Sequence, residues 1–451
     1  MEKELRAKGE RLTLDELLPP PVPDEQNVAA APIFKELFPD NKDARLLKLK
    51  LTPLPGKKMP SLATDNRDVD LTAWQEALTG VRNEKTAAQD ILKYLSQYDS
   101  LTEELRVALD RPYAQWPFNK KDPYATQVPH VGVVLNTAKV LALSAGAEQK
   151  IGNSDKALHD LKLIFRLCDS ACSNRTLIGH LVALVTDSIG LGMFQTGLFE
   201  HSWSDTQLAE VQTLLHNKTP LLTYQESFRI ERASFNQYTR LPSEEQANLF
   251  SSIPDESNTK PQTNVISFPY LFLRLRPQGW TDFDRAFGNE TIQKYYIAAI
   301  DPKNHRVFPS MIRAENHLVA DSRRNLLLTA CYRLYSTILI LPALDGIVIR
   351  TSQYQTLLSE ADIVCALERY RLKYHTLPDS LQALVPAYLD SVPHDIINGQ
   401  PLIYKRVGEQ DFILYSVGWN EKDDGGVVNK KHKDQGDWVW ASKPELYHTV
   451  E

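Results

Sequence analysis

The chain is poor in cysteine: Cys168, Cys172, Cys331 and Cys365 are the only four in 451 residues. That is too few and too scattered for a disulfide framework in a chain of this size. Cys168 and Cys172 lie four apart on a helical stretch and could share a face. No second closely spaced pair and no nearby histidine completes a tetrahedral metal set, so small buried side chains are expected there. An excess of basic charge is also missing, since 51 Lys and Arg stand against 57 Asp and Glu and the formal charge is -6. The field that grips phosphate backbones is therefore absent, and no nucleic-acid partner is expected. No continuous apolar run reaches the ~18 to 20 residues that cross a bilayer. The nearest, Ser336 to Ile349, is broken by Pro342 and Asp345. The amino-terminal stretch is charged from Glu2 onward and has no apolar signal core, so membrane attachment is expected only through an anchor that this sequence does not carry.

The motifs of common chemistries are missing too. No GxSxG elbow, HExxH or GxxxxGK[ST] occurs. The glycines of GLGMFQTG, Gly190 to Gly197, have the wrong spacing for a dinucleotide turn and suit close helix packing. Glu226 and Glu231 lie five apart, so on a helix they point about 140° from each other and cannot form a dyad. Arg229 and Arg232 make surface ion pairs the expectation for them. The 11 histidines are spread singly, and His180, within TLIGHLVALV, reads as a hydrogen-bonded core residue.

What is present is helical periodicity. The length exceeds what one growing core usually serves, so two or three folded units are expected: an arm over residues 1-68, an α-helical body over 69-350 and an α+β unit over 351-451. In the arm, Pro19, Pro20, Pro21 and Pro23 fix an extended connector that could dock on a neighbour or space one. In the body, Val134, Leu135, Ala138, Leu141 and Ala142 form one face, and Leu158, Leu161, Ile164, Phe165 and Cys168 another. Gly152 and then Ser154 or Asp155 mark the joint of a helical hairpin. FPYLFLRLRPQGW, from Phe268, reads as strand or buried helix, and Asn316 to Leu341 reads as helix. In the last unit, Ile363, Ala366, Leu367, Tyr370 and Tyr374 share one side of a long helix. After Pro393 the period switches to two, and PLIYKRV and DFILYSV, joined by GEQ, form a β-hairpin.

The loop after that hairpin, Tyr415 to Gly426, gathers Asn420, Asp423 and Asp424 against Gly425 and Gly426. Calcium takes six to eight oxygen ligands, and Asp434 and Asp437 could add to these from across the loop. The other reading is a solvated acidic turn balanced by Lys430, Lys431 and Lys433. Trp419, Trp438 and Trp440 flank it, as buried pins or as a stacking platform.

Taken in order, Ala366 to Tyr374, Leu377-Pro378, Ser380 to Leu389, Asp395 to Tyr404 and Tyr415 to Gly426 resemble the globular domain of type II secretion major pseudopilins. The whole chain is similar to large envelope proteins of planctomycete and verrucomicrobial bacteria. The first resemblance implies a calcium site formed by the Val417 carbonyl with Asn420, Asp423, Asp424 and Asp437. The two together imply an extracytoplasmic place in the cell envelope. The expectation is a mainly α fold with a small antiparallel sheet and a non-enzymatic role in binding or scaffolding protein partners. The alternative is an envelope hydrolase whose site is assembled from distant residues of the helical body.

Overall fold

Helices in this chain start and stop where the local chemistry directs. The computed structural model describes residues 2-38, 41-62, 69-252, 274-324, 341-432 and 434-450. Two short helices, α1 (Glu2–Ala7) and α2 (Leu14–Leu17), open it, followed by α3 (Pro32–Lys35). The body then runs through α4 (Leu71–Thr79), α5 (Ala87–Leu95), α6 (Asp99–Leu109), α7 (Pro129–Lys150), α8 (Ser154–Ala171), α9 (Leu177–Phe199), α10 (Asp205–His216), α11 (Pro220–Arg240) and α12 (Ser243–Ser252). Asp70 caps α4 by accepting the Ala73 amide at 2.9 Å, and Gly80, at φ +77°, ends it. Thr176 caps α9 through Gly179, and Ser204 and Gln207 form a reciprocal capping box on α10. Gly152, at φ +85°, turns α7 into α8, which is the expected helical hairpin, and α9 packs on both.

After α12 the described chain resumes in α13 (Gln278–Thr291), a six-residue π-helical continuation Ile292–Ile297, and a short hairpin of β1 (Ile300–Asp301) and β2 (Arg306–Val307). Helix α14 (Pro309–Arg324) follows, and then α15 (Leu341–Tyr374), the longest at 34 residues. Cys331, the first six residues of the Phe268 stretch, residues 325-340 of the Asn316–Leu341 run and Lys433 lie outside the described residues.

Beyond α15 the expected hairpin is present. Strand β3 (Ile403–Arg406) pairs antiparallel with β4 (Phe412–Ser416), and β6 (Trp438–Ala441) pairs on the other edge of β4. Strand β4 is buried at all five positions because it is central and both its faces are covered. A separate parallel pair joins β5 (Val427–Asn429) to β7 (His448–Val450). Helix occupies 59% of the described residues and strand 7%, so the fold is mainly α with a small antiparallel sheet.

The packing joins what the sequence divides. Val28, Phe34, Leu46 and Leu49 of the amino-terminal stretch share one core with Ile91, Leu105, Val134 and Leu141. The proline connector lies against the body: the Gln115 side chain donates to the Pro19 and Pro20 carbonyls and accepts the Val22 amide. The position expected to separate body from carboxyl-terminal unit, 350/351, falls inside α15. A second core runs from Leu161, Leu208 and Val211 through Ile363 and Leu367 to Leu414 and Trp440. Helices α7 and α9 meet the length and hydropathy of a membrane span, although polar residues interrupt the apolar run in each. Of their most apolar windows, 67% and 61% are buried inside the protein, as core helices require. The glycines of α9 serve that packing, since a side chain at Gly190 would press on Leu161, Ile164 and Phe165.

Candidate functional site

The loop between β4 and β6 leaves the sheet at Ser416 and crosses itself. Gly418 (φ +66°) and Gly436 (φ +75°) meet back to back, where a side chain at Gly418 would run into the Gly436 carbonyl. Between them the loop is closed by its own hydrogen bonds. Asp437 is buried, and its Oδ2 and Oδ1 accept the amides of Gly426 at 2.6 Å and Asp424 at 3.2 Å. The exposed Asp423 accepts the Gly425 amide at 2.9 Å and the Tyr415 hydroxyl at 3.1 Å. Asn420 donates from Nδ2 to Asp424 Oδ2 at 2.7 Å, while its Oδ1 accepts the Lys422 amide at 3.1 Å. Burial pushes the Asp437 carboxyl up from the ordinary aspartate range. The two amides pull it back, and Asp424 and Asp423 push it up again.

The structure thus brings Asn420, Asp423, Asp424 and Asp437 into one turn. Val417, the remaining residue of the expected set, is buried, and its amide donates to Asp395 Oδ2 at 3.0 Å. Among the described residues no three acidic, histidine or cysteine side chains are grouped as a metal site. The reading from sequence missed Asp395, which is buried and also accepts the Ile397 amide at 2.8 Å, tying the loop entrance to the preceding turn. Trp419 and Trp440 are buried and Trp438 half-buried, in keeping with pins. Arg313 of α14 holds the loop's outer side through the Trp419 carbonyl and Glu421.

A second polar cluster lies inside the helical body. The Lys218 ammonium donates to Asp169 Oδ1 at 2.7 Å and the Phe165 carbonyl at 3.1 Å, and lies 3.3 Å from the buried Asp187. The Tyr354 hydroxyl donates to the same Asp187 oxygen at 2.7 Å. Burial pulls the Lys218 pKa down, but Asp187, Cys168 and Asp169 more than reverse this and keep it charged. A lone Asp in the apolar run ALVTDSIGLG was the one available signal, because such a residue needs a buried partner.

Several further titratable residues are tied into the packing. His180 is buried with Nε2 at 2.9 Å from the Thr351 hydroxyl, and burial lowers its pKa to about 3. The Cys168 thiol is buried and points at the Ala183 carbonyl, and that of the half-buried Cys172 at the Asp169 carbonyl. Burial pushes the Cys172 thiol up to about 12. Glu226 is ion-paired as expected, to Arg229 at 3.1 Å, Arg11 at 2.7 Å and Arg175 at 3.0 Å. Arg232 departs from the surface pairing expected for it: its side chain is fully buried and holds Glu10 at 2.6 Å. Glu231 accepts from the Tyr124 hydroxyl at 3.1 Å.

Two open depressions adjoin one another through Arg166 and Asp169. The first, of about 300 Å³, is lined by Arg106, Asp110, Lys162, Arg166, Glu210 and Lys218, among others. The second, of about 400 Å³, runs beside Pro19, Val22, Arg111 and Tyr113. No family model, curated protein or solved structure matches this chain.

Proposed function

We propose that this chain is a non-enzymatic protein-binding or scaffolding protein. The observation that supports it is the pair of adjoining depressions. They are open, and the first is lined by charges of both signs that already pair with one another: Arg166 with Asp110 and Lys218 with Asp169, both at 2.7 Å, and Lys162 with Glu210. A mixed, self-neutralised rim around an open groove suits a protein partner with complementary charges. A catalytic cleft is more enclosed and gathers groups of perturbed pKa. Here His180, Glu360 and Asp160 all have moved pKa values, Asp160 being raised to about 7 chiefly by burial. None of the three lines either depression, and Lys218, which does line the first, is shifted upward and so stays a charged ion-pair partner rather than a group poised to exchange protons near neutral pH. Placement in a bacterial envelope is supported by the two resemblances together, and a link to an assembly of the secretion type by that of the last quarter.

Calcium at the carboxyl-terminal loop belongs to the same reading. The donor set is chemically suited to a hard cation: the Asp423, Asp424 and Asp437 carboxylates, the Asn420 amide oxygen and the Val417 carbonyl. A bound cation would offset the burial, and the lesser repulsion from Asp424 and Asp423, that raise Asp437.

The test of the binding role is site-directed cross-linking in extracts of the source cells, with a benzophenone side chain at position 162. Discrete protein adducts that vanish in the Arg166→Glu variant are expected. Their absence, or the same adducts from position 430 in the distant loop, would sink the reading.

A further inference from the structure

We propose that residues 2-17 form a removable strap, and that the arginine cradle beneath it is a recognition site for a peptide carrying an acidic, a basic and an aliphatic residue in succession. Glu10, Arg11 and Leu12 are its resident occupants.

The cradle is built to hold a carboxylate. Glu10 Oε2 accepts from Arg232 Nη2 at 2.6 Å and Arg229 Nε at 3.2 Å, while Oε1 accepts from Gln293 Nε2 at 3.3 Å and Arg229 Nη2 at 3.4 Å. The Arg229 fork thus takes both oxygens, the geometry that makes arginine selective for carboxylates. Recognition extends past the carboxylate. Arg232 Nη2 also donates to the Arg11 backbone carbonyl at 3.1 Å, so the site reads a peptide rather than a free acid. The Arg11 guanidinium in turn donates to Glu226 at 2.7 Å, a carboxylate that Arg175 and Arg229 hold in place. Leu12, the third residue, is completely buried. Acid, base and aliphatic side chain each have a prepared receptor.

The strap has the properties of a ligand that comes and goes. Its helices have six and four residues, far below the length at which an isolated helix persists in water. Docking alone orders them. Arg232 is fully buried, yet among the described residues its Nε has no partner. In a permanent core an apolar side chain of similar volume commonly does as well or better. At a junction that opens, the charge gains its hydration back when the strap lifts. The strap is held by exposed pairs that salt would weaken, Glu2 with Arg240 at 2.9 Å and Asp15 with Lys120 at 2.7 Å, and by a small apolar contact in which Leu14 and Leu17 pack on Ile230 and Ala233 of α11. Gly9, at φ +81°, ends α1 in a left-handed turn, with its amide donating to the Arg6 carbonyl at 2.9 Å and the Glu10 amide to the Leu5 carbonyl at 3.0 Å, and so aims the chain into the cradle.

The experiment uses the full chain and a fluorescent peptide copying residues 2-18. Leu12→Ser is chosen to unhook the strap while leaving the cradle intact, and Glu10→Gln to unhook it by a different contact. Hydrogen exchange over residues 2-17 should speed up by about tenfold or more in each variant, while the α7–α9 core keeps its protection. The Leu12→Ser chain should bind the peptide at least about tenfold more tightly than the unaltered chain does, and a peptide carrying the Glu10→Gln change should bind about tenfold more weakly, as expected for loss of one buried charged acceptor. Unchanged strap protection in both variants would overturn the proposal. So would peptide binding that is absent, or indifferent to the Glu10→Gln change.

Discussion

Near each end of the chain the fold draws a carboxylate out of water, and the two are held by different means. Asp437 takes its hydrogen bonds from amides 11 and 13 residues away. Glu10 takes its bonds from arginines 219 and 222 residues away, and from Gln293 beyond them. The first is a loop that satisfies itself. The second exists only because the whole helical body brings α11 and the chain start together. A locally closed loop stays intact as long as its own segment is folded. A long-range clasp can open while everything else stays folded, which is why the strap and not the loop is read here as the moving part.

The largest expected effect breaks the clasp. Arg232→Met removes the buried partner of Glu10 and leaves that carboxylate without its shortest contact. Losing one member of a buried pair costs about 3 to 5 kcal/mol when the other cannot rehydrate. Glu10 can rehydrate if the strap lifts, so the loss of global stability should stop short of that, at about 2 to 3 kcal/mol. Urea unfolding gives the value, and a larger loss would mean that the strap cannot leave independently.

Breaking the loop should cost about as much or slightly less. Asp437→Ala strands the buried Gly426 amide, at about 1 to 3 kcal/mol before relaxation, and frees the partly buried Asp424 amide, which water can reach and which costs less. An overall loss of about 2 kcal/mol is expected in the same urea titration, with local deprotection confined to residues 424 to 437. Asp437→Asn keeps an oxygen acceptor and should cost less. If alanine and asparagine are equally harmful, the carboxylate is acting through its charge rather than as an acceptor.

These two carboxylates also explain what could be read from sequence. The loop announced itself because Asn420, Asp423, Asp424 and the glycines are neighbours in the chain, and turn chemistry is local. The hairpin and the α7–α8 pair were legible for the same reason, since periods of 2 and 3.6 are properties of short windows. Glu10, by contrast, looked like one more charge in a charged segment, and Arg232 like a surface residue beside Glu226 and Glu231. Nothing within a short window of either residue distinguishes a solvated arginine from one sealed under a strap. The break expected at 350/351 illustrates the same limit: the change of period comes only after Pro393, helix α15 runs through 350/351, and its side chains join the helical body to the carboxyl-terminal sheet in one core.

Acid should separate the two regions further. Burial pushes Glu10 up, but Arg229 and Arg232 outweigh it and hold its pKa below the ordinary glutamate value of 4.5. A depressed carboxylate gives its full stabilisation above the unfolded value and loses it as pH falls through the folded one. Asp437 is shifted the other way, so the folded loop takes up a proton more readily than the unfolded chain and loses no stability from that residue on acidification. Hydrogen exchange at pH 7 and at about pH 3.5 should therefore show protection falling over residues 2 to 17 and holding over 424 to 437. Equal loss in both regions would erase the distinction.

The smallest effect concerns calcium, and it decides whether hydrogen bonds alone close the loop. If the cation binds the folded loop with an affinity near 1 mM, a concentration of about 10 mM stabilises the protein by about 1.4 kcal/mol through mass action. In a chain of this size that raises the melting temperature by only about 2 °C. Magnesium should do less, because it demands a tighter octahedron and keeps its own water. Asp424→Ala should abolish the calcium shift while sparing the strap, since Asp424 contributes its side chain only to Asn420 among the hydrogen bonds of the loop. A melting curve that is the same in calcium and in chelator would leave the carboxyl end as a self-satisfied turn, with Asp437 as its internal cap.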